Sequence, residues 1–121
     1  MFAVGTVKDH VSPWTSVYKL HRLTETELTF VLTSGGHNAG IVSEPGHAHR
    51  DFQQLCTPSD APWLDPQAWQ AIAERVEGSW WPAWHEWIAQ HGEGEVPARR
   101  LDPAQGLGPA PGSYVHVRYR D

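Results

Sequence analysis

Two side chains in this sequence are of types, and at positions, that could do acid–base chemistry together. Asp9 follows the apolar run Phe2-Ala3-Val4-Gly5-Thr6, and His37 follows the run Glu27 to Thr33. An imidazole bonded through one nitrogen to a carboxylate is held in one tautomer. Its other nitrogen can then take a proton as a general base. Each residue alone has a plainer reading. An aspartate ahead of Ser12-Pro13 suits a turn or a cap, and a histidine among glycines suits an exposed turn. Together they gain meaning from placement, because functional groups in open α/β sheets collect at the carboxyl ends of the strands. If the two runs are adjacent parallel strands, their ends bring Asp9 and His37 within side-chain reach.

The elements that must position the pair read as follows. Phe2 to Thr6 is a short strand of the kind buried in parallel sheets. Residues 7–11 form a short loop. Ser12 is placed to cap a helix with Pro13 at its first position, and Trp14, Val17, Tyr18 and His21 fall on one helical face. Glu27 to Thr33 is the clearest strand, rich in β-branched and aromatic residues. It ends in Ser34-Gly35-Gly36-His37-Asn38-Ala39-Gly40, a sharp turn in which backbone passes closely. Residues 43–64 read as a loop. Asp65-Pro66 opens a second helix carrying Trp69, Ile72, Ala73 and Val76 on one face and ending at Gly78. Ser79-Trp80-Trp81-Pro82 opens a third, with Trp84, Trp87, Ile88 and His91 at helical spacing and Gly92 as its stop. Residues 93–112 read as extended, and Ser113 to Arg120 alternates weakly, as a terminal strand would. Strand, helix, strand is one βαβ unit. A two-stranded parallel sheet does not stand alone, so the chain is expected to belong to something longer or to pair with another chain.

Composition narrows the function classes. The chain has 121 residues, 40% of them apolar, with a net charge of −5 and scattered Lys and Arg. No basic stripe suggests nucleic acid. No stretch reaches the apolar length of a membrane span, and no secretory signal is visible, so a cytoplasmic location is expected. The single cysteine, Cys56, excludes an internal disulfide and reads as a buried or loop thiol. His47, His49 and Asp51 lie close in sequence without a clear third and fourth metal ligand, which favours a solvated loop. His10, beside Asp9, has a structural reading as good as a site-lining one. No metal and no cofactor are expected.

Four segments carry a resemblance to a known family. Lys8-Asp9-His10-Val11-Ser12-Pro13-Trp14 resembles the Asp-His-hydrophobic-x-Pro-Trp segment of polyhydroxyalkanoate synthases. Thr29 to Gly40 resembles their Phe-Val-Leu-x-Ser-x-Gly-His-x-Ala-Gly segment. Gly78-Ser79-Trp80-Trp81-Pro82-Ala83-Trp84 resembles their Gly-Ser-Trp-Trp-Pro-x-Trp signature, and Ala110-Pro111-Gly112-Ser113-Tyr114-Val115 their Ala-Pro-Gly-x-Tyr-Val. The four occur in the family's order over nearly the whole chain.

The resemblance implies an α/β fold, with residues 1–121 as the C-terminal part of an α/β-hydrolase-type catalytic domain: a βαβ unit plus Trp-rich C-terminal helices, incomplete on its own. It implies an acyltransferase that polymerises (R)-3-hydroxyacyl-CoA into polyhydroxyalkanoate through a cysteine thiolate. Asp9 then matches the triad aspartate and His37 the triad histidine, in the acid-then-histidine order of that fold. The nucleophile belongs in a Gly-x-Cys-x-Gly elbow upstream. Cys56 lies downstream of His37 in Gln54-Leu55-Cys56-Thr57-Pro58, without flanking glycines, so this chain alone is expected to be inactive. The implied partners are 3-hydroxyacyl-CoA and the growing polyester, with a second copy or the missing N-terminal part as protein partner, in the cytoplasm or at a polymer granule surface. A hydrolase of the same fold would use the same Asp9 and His37. A reading from another class is a non-catalytic module whose Trp80, Trp81, Trp84 and Trp87 dock on a polymer granule or a partner protein. The plainer reading of those tryptophans is a helix face packed on the main body.

Overall fold

A computed structural model describes residues 1–100, 102, 106 and 108–119. Its centre is a mixed four-stranded sheet of order β1-β2-β3-β4, formed by β1 (Phe2–Thr6), β2 (Leu28–Thr33), β3 (Asp51–Thr57) and β4 (Glu74–Glu77). The β1–β2 pair is parallel, Phe2 opposite Thr29 through Thr6 opposite Thr33, as the βαβ reading requires. The β2–β3 and β3–β4 pairs are antiparallel.

Alternation along the strands sends side chains to two cores. Ala3, Leu28, Phe30 and Leu32 face one side with Tyr18, Trp69 and Ala73. Val31 and Phe52 face the other with Trp80, against which Phe2, Val4, Val76 and Trp81 pack. All six residues of β2 are buried, the condition of a strand covered on both faces. Phe30 is fully buried and meets Tyr18 edge-on at 5.3 Å and Trp69 edge-on at 5.1 Å between ring centroids. Burial of one such ring contributes about 1.5–3 kcal/mol.

The first crossover is two short helices, α1 (Trp14–Val17) and α2 (Leu20–Leu23), rather than one. The turn between them is tight: the Lys19 N–H donates to Ser16 O and the Arg22 N–H to Lys19 O, the i to i+3 pattern of a 3-10 turn. Pro13 is the cap residue, not the first helical one, and no side chain caps α1; the Ser12 N–H is instead bound by Asp9.

Helix α3 (Pro66–Ile72) begins as read, with Asp65 Oδ1 accepting from the N–H groups of Gln67 and Ala68 at 3.0 and 2.9 Å. It stops earlier than the apolar spacing predicts. Ala73 is extended, and Glu74–Glu77 forms β4 instead of a final helical turn. Pairing with β3 overrides the helical propensity of Glu-Arg-Val-Glu. The expected loop 43–64 is corrected likewise, since β3 lies inside it. Gln53 of β3 donates through Nε2 to Gln70 O at 2.8 Å and Ala73 O at 3.2 Å, satisfying carbonyls at the end of α3. Helix α4 (Trp81–His91) covers the second face, with Ser79 Oγ accepting the Trp81 N–H at 3.0 Å and Gly92 at its end. In place of the expected strand Ser113 to Arg120, residues Tyr114–His116 form one 3-10 turn; Arg120 lies outside the described residues.

Candidate active site

The ladder of β1 and β2 continues past both strands. The Val7 N–H donates to Thr33 O at 3.0 Å and the Lys8 N–H to Gly35 O at 2.9 Å. That extension carries Asp9 and His37 out side by side. His37 Nδ1 lies 2.8 Å from Asp9 Oδ2 across 28 residues of sequence. The pairing expected from strand placement is therefore present in the fold.

Asp9 also fills the plainer role considered for it. Its Oδ1 accepts from the Val11 N–H at 2.9 Å and the Ser12 N–H at 2.8 Å, closing the turn into α1. One carboxylate thus serves turn and imidazole at once, and each contact fixes the other's geometry. The Asp9 side chain is 8% exposed and that of His37 48%. The Ser12 N–H is the largest influence on the Asp9 carboxyl. Burial opposes it, and the bonds from His37 and Val11 add to it, holding the group down from 3.8 to about 2. Asp9 is therefore ionised at neutral pH and can only accept. It follows that Nδ1 carries the imidazole proton and donates it to Oδ2, which leaves the Nε2 lone pair as acceptor. No other bond to the His37 ring occurs among the described residues.

The turn that bears His37 is closed by its own backbone. Gly40 N–H donates to Gly36 O at 2.8 Å, and Val42 N–H to Asn38 O at 2.9 Å. Two glycines are required here. Gly35 has a φ of +113°, and a Cβ on Gly40 would lie 2.6 Å from Thr6 Cγ2. The exposed residues 37–39 are thereby lifted over the end of β1, while Gly40 returns to the interior.

The other residues weighed from sequence lie elsewhere or play other parts. Cys56 is neither buried nor in a loop: it is exposed on β3, opposite Thr29. Thr29 is four strand residues before Thr33, so Cys56 lies on the order of 13 Å toward the opposite end of the sheet from the His37 turn. His10 is exposed. The Arg50 guanidinium donates to His47 Nε2 at 3.0 Å, and Asp51 pairs with Arg75 at 3.1 Å, so His47 and Asp51 are engaged by arginines. No group of three or more metal-binding side chains occurs among the described residues. No helix among them is long and apolar enough to cross a membrane. The tryptophans divide. Trp80 is 7% exposed, Trp81 and Trp87 are half-buried, and Trp84 is 43% exposed. Sequence reasoning missed one set of contacts: the Trp80 and Trp81 indole N–H groups donate to the carbonyls of Gly40 and Ile41 at 3.1 and 2.9 Å. Only the Gly-Ser-Trp-Trp-Pro motif marked those positions.

No protein-family model matches the chain. Curated proteins do. Poly(3-hydroxyalkanoate) polymerase 2 of Ectopseudomonas oleovorans is 41% identical over 120 residues, 97% of this chain and 21% of that protein. The polymerase subunit PhaC of Rhizobium meliloti is 37% identical over 98% of this chain and 19% of its own length. That of Cupriavidus necator is 36% identical over 97% and 20%. Over nearly its whole length this chain is similar to one stretch of the poly(3-hydroxyalkanoate) polymerases. It spans about one fifth of the length of the polymerases it matches. The similarity runs over nearly all of the residues described above.

Proposed function

We infer that the segment supplies the general base and the orienting acid of an acyltransferase that builds polyester from (R)-3-hydroxyacyl-CoA. The observation that carries this reading is the 2.8 Å bond between His37 Nδ1 and Asp9 Oδ2, with Asp9 ionised and Nε2 unengaged among the described residues. The similarity to poly(3-hydroxyalkanoate) polymerases supports the reaction class. In this reading the segment is the C-terminal part of an α/β-hydrolase-type domain. The helices on both faces of the sheet and the parallel β1–β2 pair are compatible with that fold.

The chemistry then runs through His37. Its Nε2 takes the proton of a cysteine thiol supplied by the rest of the enzyme. The thiolate attacks the acyl carbonyl, the acyl–sulfur bond to coenzyme A breaks, and the departing thiolate leaves with the proton from Nε2. In the second half, Nε2 takes the proton of a 3-hydroxyl group, whose oxygen attacks the acyl-enzyme. An ester forms and the cysteine regains its proton. Asp9 stabilises the imidazolium each time without becoming protonated. Cys56, at the far end of the sheet, has no part in this, so the segment by itself turns over no substrate.

The test is to give the full-length protein (R)-3-hydroxybutyryl-CoA and follow both products. Release of coenzyme A with chain-length-increasing polyester supports transfer. Release with free 3-hydroxybutyrate alone would show a hydrolase. Absence of release, in a protein that also binds polyester granules, would favour the Trp-rich docking module.

A further inference from the structure

A second set of residues, from the start of α4, is organised around the strip that leaves the His37 turn. The sequence Ser79-Trp80-Trp81 puts three side-chain donors on three carbonyls of one short stretch. Ser79 Oγ donates to Ser43 O, Trp80 Nε1 to Gly40 O at 3.1 Å, and Trp81 Nε1 to Ile41 O at 2.9 Å. Every donor comes from the start of α4, and every acceptor lies within three to six residues of His37. Backbone carbonyls leaving a turn need partners when buried, and Gly40 and Ser43 are buried.

The donors are themselves fixed. Trp80 packs with Val31 and Phe52 of the sheet and stacks on Phe2 of β1 at 6.3 Å. Trp84, one helical turn on, meets its ring at 5.9 Å. Ser79 Oγ accepts the Trp81 N–H while donating to Ser43. The turn is thus held at two places. Gly40 is pressed on Thr6 of β1 from within, and the 40–43 strip is bonded to α4. Among the described residues only Asp9 bonds the His37 ring, and His37 stands on exposed residues. Tryptophan suits the task because a buried ring sets the direction of its one N–H.

We propose that Ser79, Trp80 and Trp81 are positioning residues that clamp the Gly40–Ser43 strip and thereby hold His37 on Asp9 in its reactive geometry. The clamp rests on the reading of His37 as general base, but its structural half is independent of that reading. It gives the Gly-Ser-Trp-Trp segment a role inside the site instead of on a polymer-binding surface.

The experiment uses Trp80→Phe, Trp81→Phe and their combination in the full-length protein. Phenylalanine keeps an aromatic ring and removes the N–H. Two readouts are taken. One is the downfield proton signal of His37 Nδ1 bound to Asp9, assigned by its loss in His37→Gln. The other is coenzyme A release. The clamp predicts that the combined variant loses or broadens the Nδ1 signal, and that kcat falls about 10- to 100-fold with KM within about twofold. Ser79→Ala falls in the same direction, and Ser79→Thr, which keeps the hydroxyl, restores it. Should the combined variant fail to fold, the single Trp81→Phe and Ser79→Ala variants carry the comparison. An unchanged Nδ1 signal with kcat within twofold of the parent overturns the clamp. A lost signal alongside full turnover in His37→Ala upholds the clamp as structure and overturns the catalytic reading of His37.

Discussion

Asp9→Asn isolates what the carboxylate does for His37, because the structure dictates how the amide must sit. Asp9 Oδ1 accepts two N–H groups, from Val11 at 2.9 Å and Ser12 at 2.8 Å. An amide NH2 in that place would face two donors, so the amide oxygen stays there and the turn into α1 is kept. The NH2 group is then forced toward His37 Nδ1. A donor facing Nδ1 selects the other tautomer, with the proton on Nε2, and the nitrogen meant to accept a proton is already protonated. The fold survives and the base is lost. In a serine-type triad the same exchange lowers kcat about 10⁴-fold, which corresponds to about 5.4 kcal/mol of transition-state stabilisation. A thiol is more acidic than an alcohol, so the loss with a cysteine nucleophile is expected at or somewhat below that value. The assay is coenzyme A release by the full-length variant under saturating (R)-3-hydroxybutyryl-CoA, with the ring nitrogen signals of His37 read in parallel. A variant that keeps the parent tautomer, or that stays within tenfold of parental turnover, would show that the Asp9 carboxylate does not set the protonation of His37.

Three further outcomes are expected of the same fold. Gly40→Ala drives a Cβ to 2.6 Å from Thr6 Cγ2, and should destabilise the fold by about 1–3 kcal/mol in urea titration while loosening His37. The Asp9 carboxyl is lowered from 3.8 to about 2, chiefly by the Ser12 N–H, so its contribution to stability is complete above about pH 4 and fades as pH falls toward 2. Between those values the parent chain should lose stability more steeply than Asp9→Asn, as denaturant midpoints would register. Cys56→Ser, at an exposed strand position away from the site, should leave turnover unchanged; a loss would implicate that thiol.

The βαβ unit and the Asp9–His37 pair were legible because they rest on local signals joined by one topological rule. Two apolar runs mark β1 and β2, and parallel neighbours present their carboxyl ends together. Asp65-Pro66 likewise announced α3 through a cap that acts within three residues. The misses have the opposite character. In β3, Gln53 sits where an apolar residue would mark a strand, and its amide is used on the carbonyls ending α3. In β4, Glu74, Arg75 and Glu77 are exposed, as suits a charged sheet edge, so no apolar alternation signals the strand. The bonds from Trp80 and Trp81 to residues 40 and 41 span 40 positions and end on backbone carbonyls, which carry no residue-specific mark. A motif could show that those tryptophans matter, but only the fold shows what they touch.

In the proposed reaction His37, held by Asp9, moves the proton in acyl transfer. The most direct test of that role is coenzyme A release by the full-length His37→Ala variant, alongside its thermal melt. The role predicts turnover lowered by at least about 10³-fold, with a melt close to the parent's, since the ring is half-exposed. Turnover near the parental rate in a folded variant would contradict it and remove His37 from the mechanism.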